Sequence, residues 1–429
     1  MPESVRSTAV ATYFDRFGFG PRLLGEPPEP GVRIILVIPC FNEPGLNHSL
    51  ESLWNCRRPS CGVEVIVVIN SGFGAGPDVL YQNEQTLRAA EAWIGKHYDP
   101  LLRFHLLNCL DLPRKKAGVG LARKIGMDEA LRRFEQVDRL DGIILCFDAD
   151  CSCDPNFLRA VADYFASHPK SPGCSIYFEH PLEGSEDPRI YEAVALYELH
   201  LRYYIEALRW AGFPHAYHTI GSSMAVRAGA YCKQGGMNTR QAGEDFYFLH
   251  KIIPLGGFGE VNNTRVVPSP RPSTRVPFGT GKAVGEFLKT GRFRTYPSEA
   301  FDDLKSLFSA VPLLYETSSL EPLEAVLSAS VKQPVVEFLK AREGEAVLRE
   351  IRANTSTRAA FEKRFYGWFN AFAAMKYIHY AESLYSPADV VSAARELLAV
   401  LPAQTPRSFA GSQDLLAAFR DLQRAGARR

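Results

Sequence analysis

The sequence has no long apolar run. Over 429 residues nothing approaches the roughly 18 uninterrupted apolar residues that mark a membrane helix. The longest candidate, Phe361 to Ile378, is broken by Glu362, Lys363, Arg364, Asn370 and Lys376, so no transmembrane segment is expected. Nor does one sign of charge dominate: 49 Lys+Arg against 48 Asp+Glu leave a formal net charge of +1. A near-neutral chain lacks the electrostatic footprint of a nucleic-acid binder, and no nucleic-acid partner is expected. The opening Met-Pro-Glu-Ser has no basic stretch followed by an apolar core, which argues against a signal peptide. There is no internal repeat, no Gly-Lys-Ser/Thr at P-loop spacing, and no second Cys/His pair to make Cys151 and Cys153 a zinc site. The nine Cys, an odd number lying mostly in apolar runs, suit buried thiols in a reducing compartment, so a cytoplasmic location is expected.

What is present is ordinary globular composition, 46% hydrophobic and 23% charged, in a chain long for one domain. Three parts are expected. Residues 1–30 form an N-terminal arm ending in the Pro-rich stretch 25–30, which is poor helix or sheet interior. Residues 31–290 alternate helical patterns with short runs rich in Val and Ile: Val32–Ile38, Val63–Ile69, Leu101–Leu107, Gly142–Phe147 and Cys174–Phe178. Such runs read as strands buried on both faces, and strands separated by helices imply an α/β fold with a mainly parallel sheet. Helices are expected over Leu121–Phe134, over Asn156–Phe165 after the cap signal Asp154-Pro155, and over Phe246–Ile253. Residues 291–429 read as all-helical. Phe361, Phe365, Trp368, Phe369 and Phe372 share one helical face, and Ser386–Asp389 starts another helix.

Open α/β sheets bind ligands at the carboxyl ends of their strands, so the residues just after each strand are the site candidates. After the first come Pro39, Cys40, Phe41, Asn42 and Glu43, able to hold a base or a ribose or simply to make a turn. After the second, the Asn70 carbonyl can accept from a nucleobase N–H. Lys116, Gly118 and Arg123 lie at a glycine-containing helix start that can bring positive charge and N–H groups to phosphate. After the fourth, Asp148-Ala149-Asp150 places two carboxylates i,i+2, the donor type taken by Mg²⁺ and Mn²⁺. Glu244 and Asp245 precede an apolar helix, where one can act as a general base and both favour the helix dipole.

In chain order these motifs resemble family 2 glycosyltransferases of the GT-A fold. Val37-Ile38-Pro39-Cys40-Phe41-Asn42-Glu43 is similar to the family's opening strand and loop, and Lys116-Ala117-Gly118 through Gly126 to its Gly-Ala-Arg-Asn-Gly segment, with Lys124 in place of Asn. Asp148-Ala149-Asp150 resembles the metal motif, Gly221-Ser222-Ser223 with the following strand the acceptor side, and Gly243-Glu244-Asp245 the catalytic-base motif. The resemblance covers roughly residues 31–285. Asn70-Ser71-Gly72 stands where Asp-Asp or Asp-Gly-Ser is usual, and the Gln-x-x-Arg-Trp motif of processive members is absent.

The resemblance implies a GT-A fold with an α-helical C-terminal extension and a non-processive, inverting transferase that moves a sugar from a UDP- or GDP-type donor to a hydroxyl acceptor. It implies a divalent cation, Mn²⁺ or Mg²⁺, on Asp150 and Asp148, and Asp245 as base supported by Glu244. Donor contacts are expected from Pro39, Phe41, Asn42, Glu43, Asn70, Lys116, Gly118, Arg123 and Asp148, with Arg271 and Arg275 closing over the diphosphate. Gly221, Ser222 and Ser223 are expected on the acceptor side. A retaining GT-A enzyme, with His218 or His250 as an added metal ligand, and an inactive nucleotide-sugar-binding module are the alternatives. The C-terminal helices are expected to pack on the catalytic domain and to help form the acceptor side or a homodimer contact; they need not touch a membrane, and peripheral membrane contact is left open.

Overall fold

The computed structural model describes residues 3–273, 279–316, 323–401, 409 and 411–426. Val32–Cys40 forms β1, in which every residue but Arg33 is buried. Unbroken Val, Ile and Leu without polar alternation suit a strand covered on both faces. With β2 (Gly62–Gly72), β3 (Leu102–Leu112), β4 (Ile143–Cys146), β5 (Ser152–Cys153), β6 (Gly173–Phe178), β7 (Met224–Arg227) and β8 (Gly259–Val267) it makes an eight-stranded sheet among the described residues, ordered β3-β2-β1-β4-β7-β6-β8-β5. The accompanying helices are α1 (Glu3–Arg16), α2 (Leu46–Trp54), α3 (Pro77–Ile94), α4 (Val119–Gln136), α5 (Phe157–Ser167), α6 (Pro188–Trp210), α7 (Ala228–Lys233) and α8 (Glu244–Ile252).

The pairings β1/β2, β2/β3, β1/β4 and β6/β8 are parallel; β4/β7, β6/β7 and β5/β8 are antiparallel. The α/β class with a mostly parallel sheet is therefore as expected. The details differ in instructive ways. The strand β1 runs on through Pro39, which the sequence placed in a loop. Pairing with β4 stops at Val37↔Cys146, so Pro39 has a neighbour on the β2 side only and its missing N–H breaks no ladder. The strand β3 pairs with β2 alone, and as an edge strand it buries only Leu102, Phe104, Leu107 and Leu112 rather than both faces. The strand β8 has no apolar run; only Val261, Thr264 and Val266 are buried in it. Asp154 does not cap α5 with its side chain: its carboxylate accepts from Arg265 at 3.2 Å, and Asn156 is the cap residue.

The chain divides into two compact units. One comprises the chain up to Ile190, Thr219–Gly285 and the end from Arg424, and so contains the whole eight-stranded sheet. The other comprises Tyr191–His218 and Glu286–Gln423, and so takes in most of α6, which lies within the 31–290 segment. Its helices continue from α9 (Thr280–Thr290) through α10 (Ser298–Glu316), α11 (Leu323–Ser330), α12 (Gln333–Lys340), α13 (Gly344–Ala353), α14 (Arg358–Trp368), α15 (Ala371–Ala381), α16 (Val390–Val400) and α17 (Ser412–Gly426). It is not all-helical: β9 (Arg294–Thr295) pairs antiparallel with β10 (Ala388–Asp389). The aromatic face from Phe361 to Phe372 spans two helices, because the Asn370 side chain accepts from the N–H groups of Phe372 (3.0 Å) and Ala373 (3.2 Å) and starts α15 afresh. Phe361, Phe365 and Phe369 are buried in the core of this unit, Phe369 edge-on to Phe308. The helix signalled at Ser386–Asp389 is present but starts later than expected: Ala388–Asp389 is β10, and Asp389 caps α16 at Val390. Among the described residues no helix is long and apolar enough to cross a membrane.

Candidate active site

Strand directions bring the candidate segments to one edge of the sheet. The parallel strands β1, β2 and β4 end there and deliver Asn42–Glu43, Asn70–Gly72 and Asp148–Asp150. Because β7 runs antiparallel to β4, with Met224 opposite Cys146, the residues before β7 lie beside those after β4. Gly221-Ser222-Ser223 is thereby placed next to Phe147-Asp148. Because β5 is antiparallel to β8, with Ser152 opposite Val267, the chain leaving Asp150 meets the chain that carries Arg271.

The centre of the site is Arg123 on α4, 1% exposed. Its Nη2 donates to Asp148 Oδ1 at 2.6 Å and its Nη1 to Glu244 Oε1. One guanidinium thus joins the helix start after β3, the acidic turn after β4 and the first turn of α8. Such charge-assisted bonds are about twice as strong as neutral ones. Glu244 is buried, and burial pushes its carboxyl up to about 7 against the pull of Arg123. Half-buried Asp245 accepts from the Phe246 N–H at 2.7 Å and from the Gly221 N–H, and burial raises its carboxyl as well. The turn into α8 needs a left-handed residue, and Gly243 supplies it at φ 67°.

A second acid–base cluster lies alongside. Arg271 Nη2 donates to Glu43 Oε2 at 2.9 Å and stands 3.6 Å from Asp150 Oδ2. Glu43 is buried and also accepts from the Gly45 N–H at 2.7 Å. The helix α3 fixes the loops around it. Asn83 Oδ1 accepts from the Asn42 N–H at 2.9 Å, Asn83 Nδ2 donates to the Asn70 carbonyl at 3.0 Å, and Thr86 donates to the Glu43 carbonyl at 2.9 Å. Asn42 sits at φ 49°, a conformation Asn tolerates better than most residues. Two groups at the end of β2 have no hydrogen-bond partner among the described residues: Asn70 Oδ1 and Ser71 Oγ, both buried. Orphaned buried acceptors call for an explanation, and a ligand that supplies the missing donor is one.

The other sequence candidates are placed as follows. Lys116 is exposed and Gly118 precedes α4. Ser222 and Ser223 are buried, with their hydroxyls 3.5 Å apart. His250 Nδ1 donates to the Phe246 carbonyl at 2.5 Å, and its ring lies against the Phe246 ring. His218 belongs to the helical unit, where burial and the cations Arg202 and Arg209 hold its imidazole well below the usual range. Arg275 lies outside the described residues. Sequence reasoning missed Asn83 and Thr86, whose only signal is a polar pair three residues apart on the buried side of α3.

The sequence resemblance implies a divalent cation, and the acids after β4 are its candidate donors. Asp148 and Asp150 present half-exposed carboxylates, 38% and 28% exposed, on one short turn. Among the described residues no group of three or more His, Cys, Asp and Glu gathers as a metal cluster. Two carboxylates with water and substrate oxygens completing the shell is the pattern that Mg²⁺ and Mn²⁺ accept, so the residues fit.

No protein-family profile matches the sequence, and no curated protein does. The chain is similar to solved structures of S. aureus TarS 1-349 in complex with UDP-GlcNAc (13% identity, 78% of this chain and 92% of that one, TM-score 0.40). It is similar also to GalNAc-T7 with UDP, GalNAc and Mn²⁺ (14% identity, 74% of this chain and 55% of that one, TM-score 0.37). A third is the mannosyltransferase PcManGT from Pyrobaculum calidifontis in complex with GDP-Man and Mn²⁺ (17% identity, 92% of this chain and 96% of that one, TM-score 0.35). At these TM-scores the superpositions are partial.

Proposed function

We propose that this chain is a non-processive, inverting glycosyltransferase that moves a sugar from a UDP- or GDP-type nucleotide sugar to a hydroxyl acceptor. The observation that carries the reading is the buried guanidinium of Arg123 shared by Asp148 and Glu244, with Asp245 beside them. It couples the acids suited to the donor's diphosphate end to the acid suited to the acceptor.

In this reading Asp245 takes the proton of the acceptor hydroxyl as that oxygen attacks the anomeric carbon. The bond from that carbon to the β-phosphate oxygen breaks, and its electron pair leaves on the nucleoside diphosphate. A carboxylate raised by burial is a stronger base than an ordinary one, and its backbone hydrogen bonds hold it in place. Asp150, with Asp148, would hold the divalent cation, which when bound offsets charge on the leaving diphosphate. The orphaned Asn70 Oδ1 suits a nucleobase N–H donor. Glu244, tied to Arg123, supports Asp245 rather than abstracting the proton itself.

A nucleotide-sugar panel in thermal shift, with and without Mn²⁺, followed by hydrolysis or transfer assays, tests the reading. Stabilisation by one nucleotide sugar together with turnover of its glycosyl bond is expected. A panel in which no donor binds would overturn the proposal; binding without any turnover would favour the inactive binding module.

A further inference from the structure

Outside the acids of the site, the chain brings two thiols together at the side of the sheet next to Asp150. Cys56 lies just beyond α2 and Cys153 in β5, and their sulfurs are 3.5 Å apart across 97 residues of sequence. Both are held by the same helix. The Cys153 N–H donates to Ser52 Oγ at 2.9 Å, and the Cys56 thiol reaches the Ser52 carbonyl at 3.5 Å. Ser49 donates to the Cys151 carbonyl at 2.7 Å, and the Arg57 N–H to the Pro155 carbonyl at 2.7 Å. The backbone on both sides of the pair is thus already in register, and a disulfide needs the sulfurs to close by about 1.5 Å. Cys56 is buried and Cys153 half-buried, so a small oxidant reaches the Cys56 sulfur from the Cys153 side of the pair.

We propose that Cys56 and Cys153 are a reversible redox modification site, a dithiol that closes to an intramolecular disulfide under a two-electron oxidant such as hydrogen peroxide. The electronics favour Cys56 as the attacking thiol. The hydrogen bond that it shares with Cys153 and the nearby Arg58 cation hold the Cys56 thiol below its ordinary value. The Cys56 thiolate attacks one peroxide oxygen, the O–O bond breaks and hydroxide leaves, giving the sulfenic acid. The Cys153 sulfur then attacks the Cys56 sulfur, and the sulfenic oxygen leaves as water with the Cys153 proton. Two thiols and one peroxide become one disulfide and two waters, the sulfurs losing the two electrons that the peroxide gains. Cys153 is three residues beyond Asp150 and opposite Val266 of β8, so the new bond lies on the chain carrying the acidic turn.

The test uses the whole protein and does not depend on the glycosyl-transfer reading. The folded chain is treated with hydrogen peroxide, the oxidant is removed, the chain is unfolded in guanidinium and its free thiols are alkylated, and the sample is mapped by peptide mass spectrometry and a non-reducing gel. A Cys56–Cys153 peptide two mass units light, nine titratable thiols reduced to seven, and return to nine with dithiothreitol are expected. The linked form should melt several degrees higher, because a bridge over so long a loop restricts the unfolded chain. Nine alkylated thiols after treatment, with circular dichroism unchanged, would overturn the proposal. So would a link between two molecules, or sulfinic acid at either Cys with no link. Cys153→Ser should keep Cys56 monomeric and unlinked; if that variant fails to fold, the wild-type peptide map decides alone.

Discussion

Gly221 has no side chain because the guanidinium of Arg123 occupies the space. A Cβ built on Gly221 stands 2.9 Å from Arg123 Nη2 and closer still to Nη1. The same glycine donates its N–H to Asp245, so one residue without a side chain sits between the bridging cation and the candidate base. Gly221→Ala is therefore expected to displace Arg123 from Asp148 and Glu244. Overpacking of this kind costs about 1–3 kcal/mol. Urea unfolding should show that loss, and turnover on the identified donor should fall at least tenfold. Unchanged stability would mean that Arg123 has another resting place.

Arg123→Met removes the partner of a buried carboxylate. Breaking a buried ion pair from one side costs about 3–5 kcal/mol, because the remaining charge is uncompensated. Glu244→Gln in the same chain should recover a large part of that loss, since a neutral amide needs no cation. A double-mutant cycle by urea denaturation measures this, and an interaction energy near zero would remove the bridge as a source of stability.

The raised Glu244 carboxyl fixes the sign of a pH effect. Its ordinary value is 4.5, and burial pushes it to about 7. The folded chain thus binds a proton that the unfolded chain has already lost, and between pH 4.5 and 7 stability falls as pH rises. Asp245, raised in the same way, adds to the slope. Glu244→Gln should flatten the stability–pH profile over that window, and a profile with the wild-type slope would place the titration elsewhere.

The strands β1, β2, β4 and β6 were legible because burial on both faces demands Val and Ile runs, which the sequence carries. The strand β8 was not, because its Gly-Glu-Val-Asn-Asn-Thr stretch is half-exposed and needs little apolar content. At the site, segments after strands were legible because strand ends are where an α/β sheet presents its loops. The pairing of Arg123 with Glu244 was not: it joins residues 121 apart, and nothing local distinguishes an arginine facing phosphate from one facing two carboxylates. The clamp by Asn83 and Thr86 was hidden for a similar reason, since polar residues on a helix read as its wet face. The break at Asn370 escaped notice because aromatic spacing continued across it.

Asp150→Asn tests the cation directly. The side chain is half-exposed, and its contact with Arg271 is a 3.6 Å approach, so the substitution should change stability by less than about 1 kcal/mol. Wild-type protein should gain stability from UDP or GDP only when Mn²⁺ is present, and the variant should lose that gain. Calorimetry with the nucleotide, with and without Mn²⁺, measures both. An undiminished Mn²⁺ effect in the variant would move the cation away from Asp150.

Asp245→Asn separates a base from a structural carboxylate. The bland reading is that Asp245 only finishes the first turn of α8, where it accepts from the Phe246 and Gly221 N–H groups. Asparagine keeps an acceptor oxygen on the same stem, so both readings give nearly normal stability, and both give normal donor binding. They part on turnover. An amide cannot take the acceptor's proton, and loss of general-base assistance is worth about 10²–10⁴-fold in rate. The expected result is kcat lower by that factor with donor affinity within a few fold of wild type. Its pH profile should also lose the fall in rate at low pH that protonation of the raised Asp245 carboxyl sets, which a structural role would not change. Turnover within a few fold of wild type would withdraw the base role from Asp245. Glu244 is poorly suited to inherit it, because its oxygen already receives the Arg123 guanidinium. That outcome would turn the mechanism toward retention of configuration, which the anomer of the product, read by NMR, would decide.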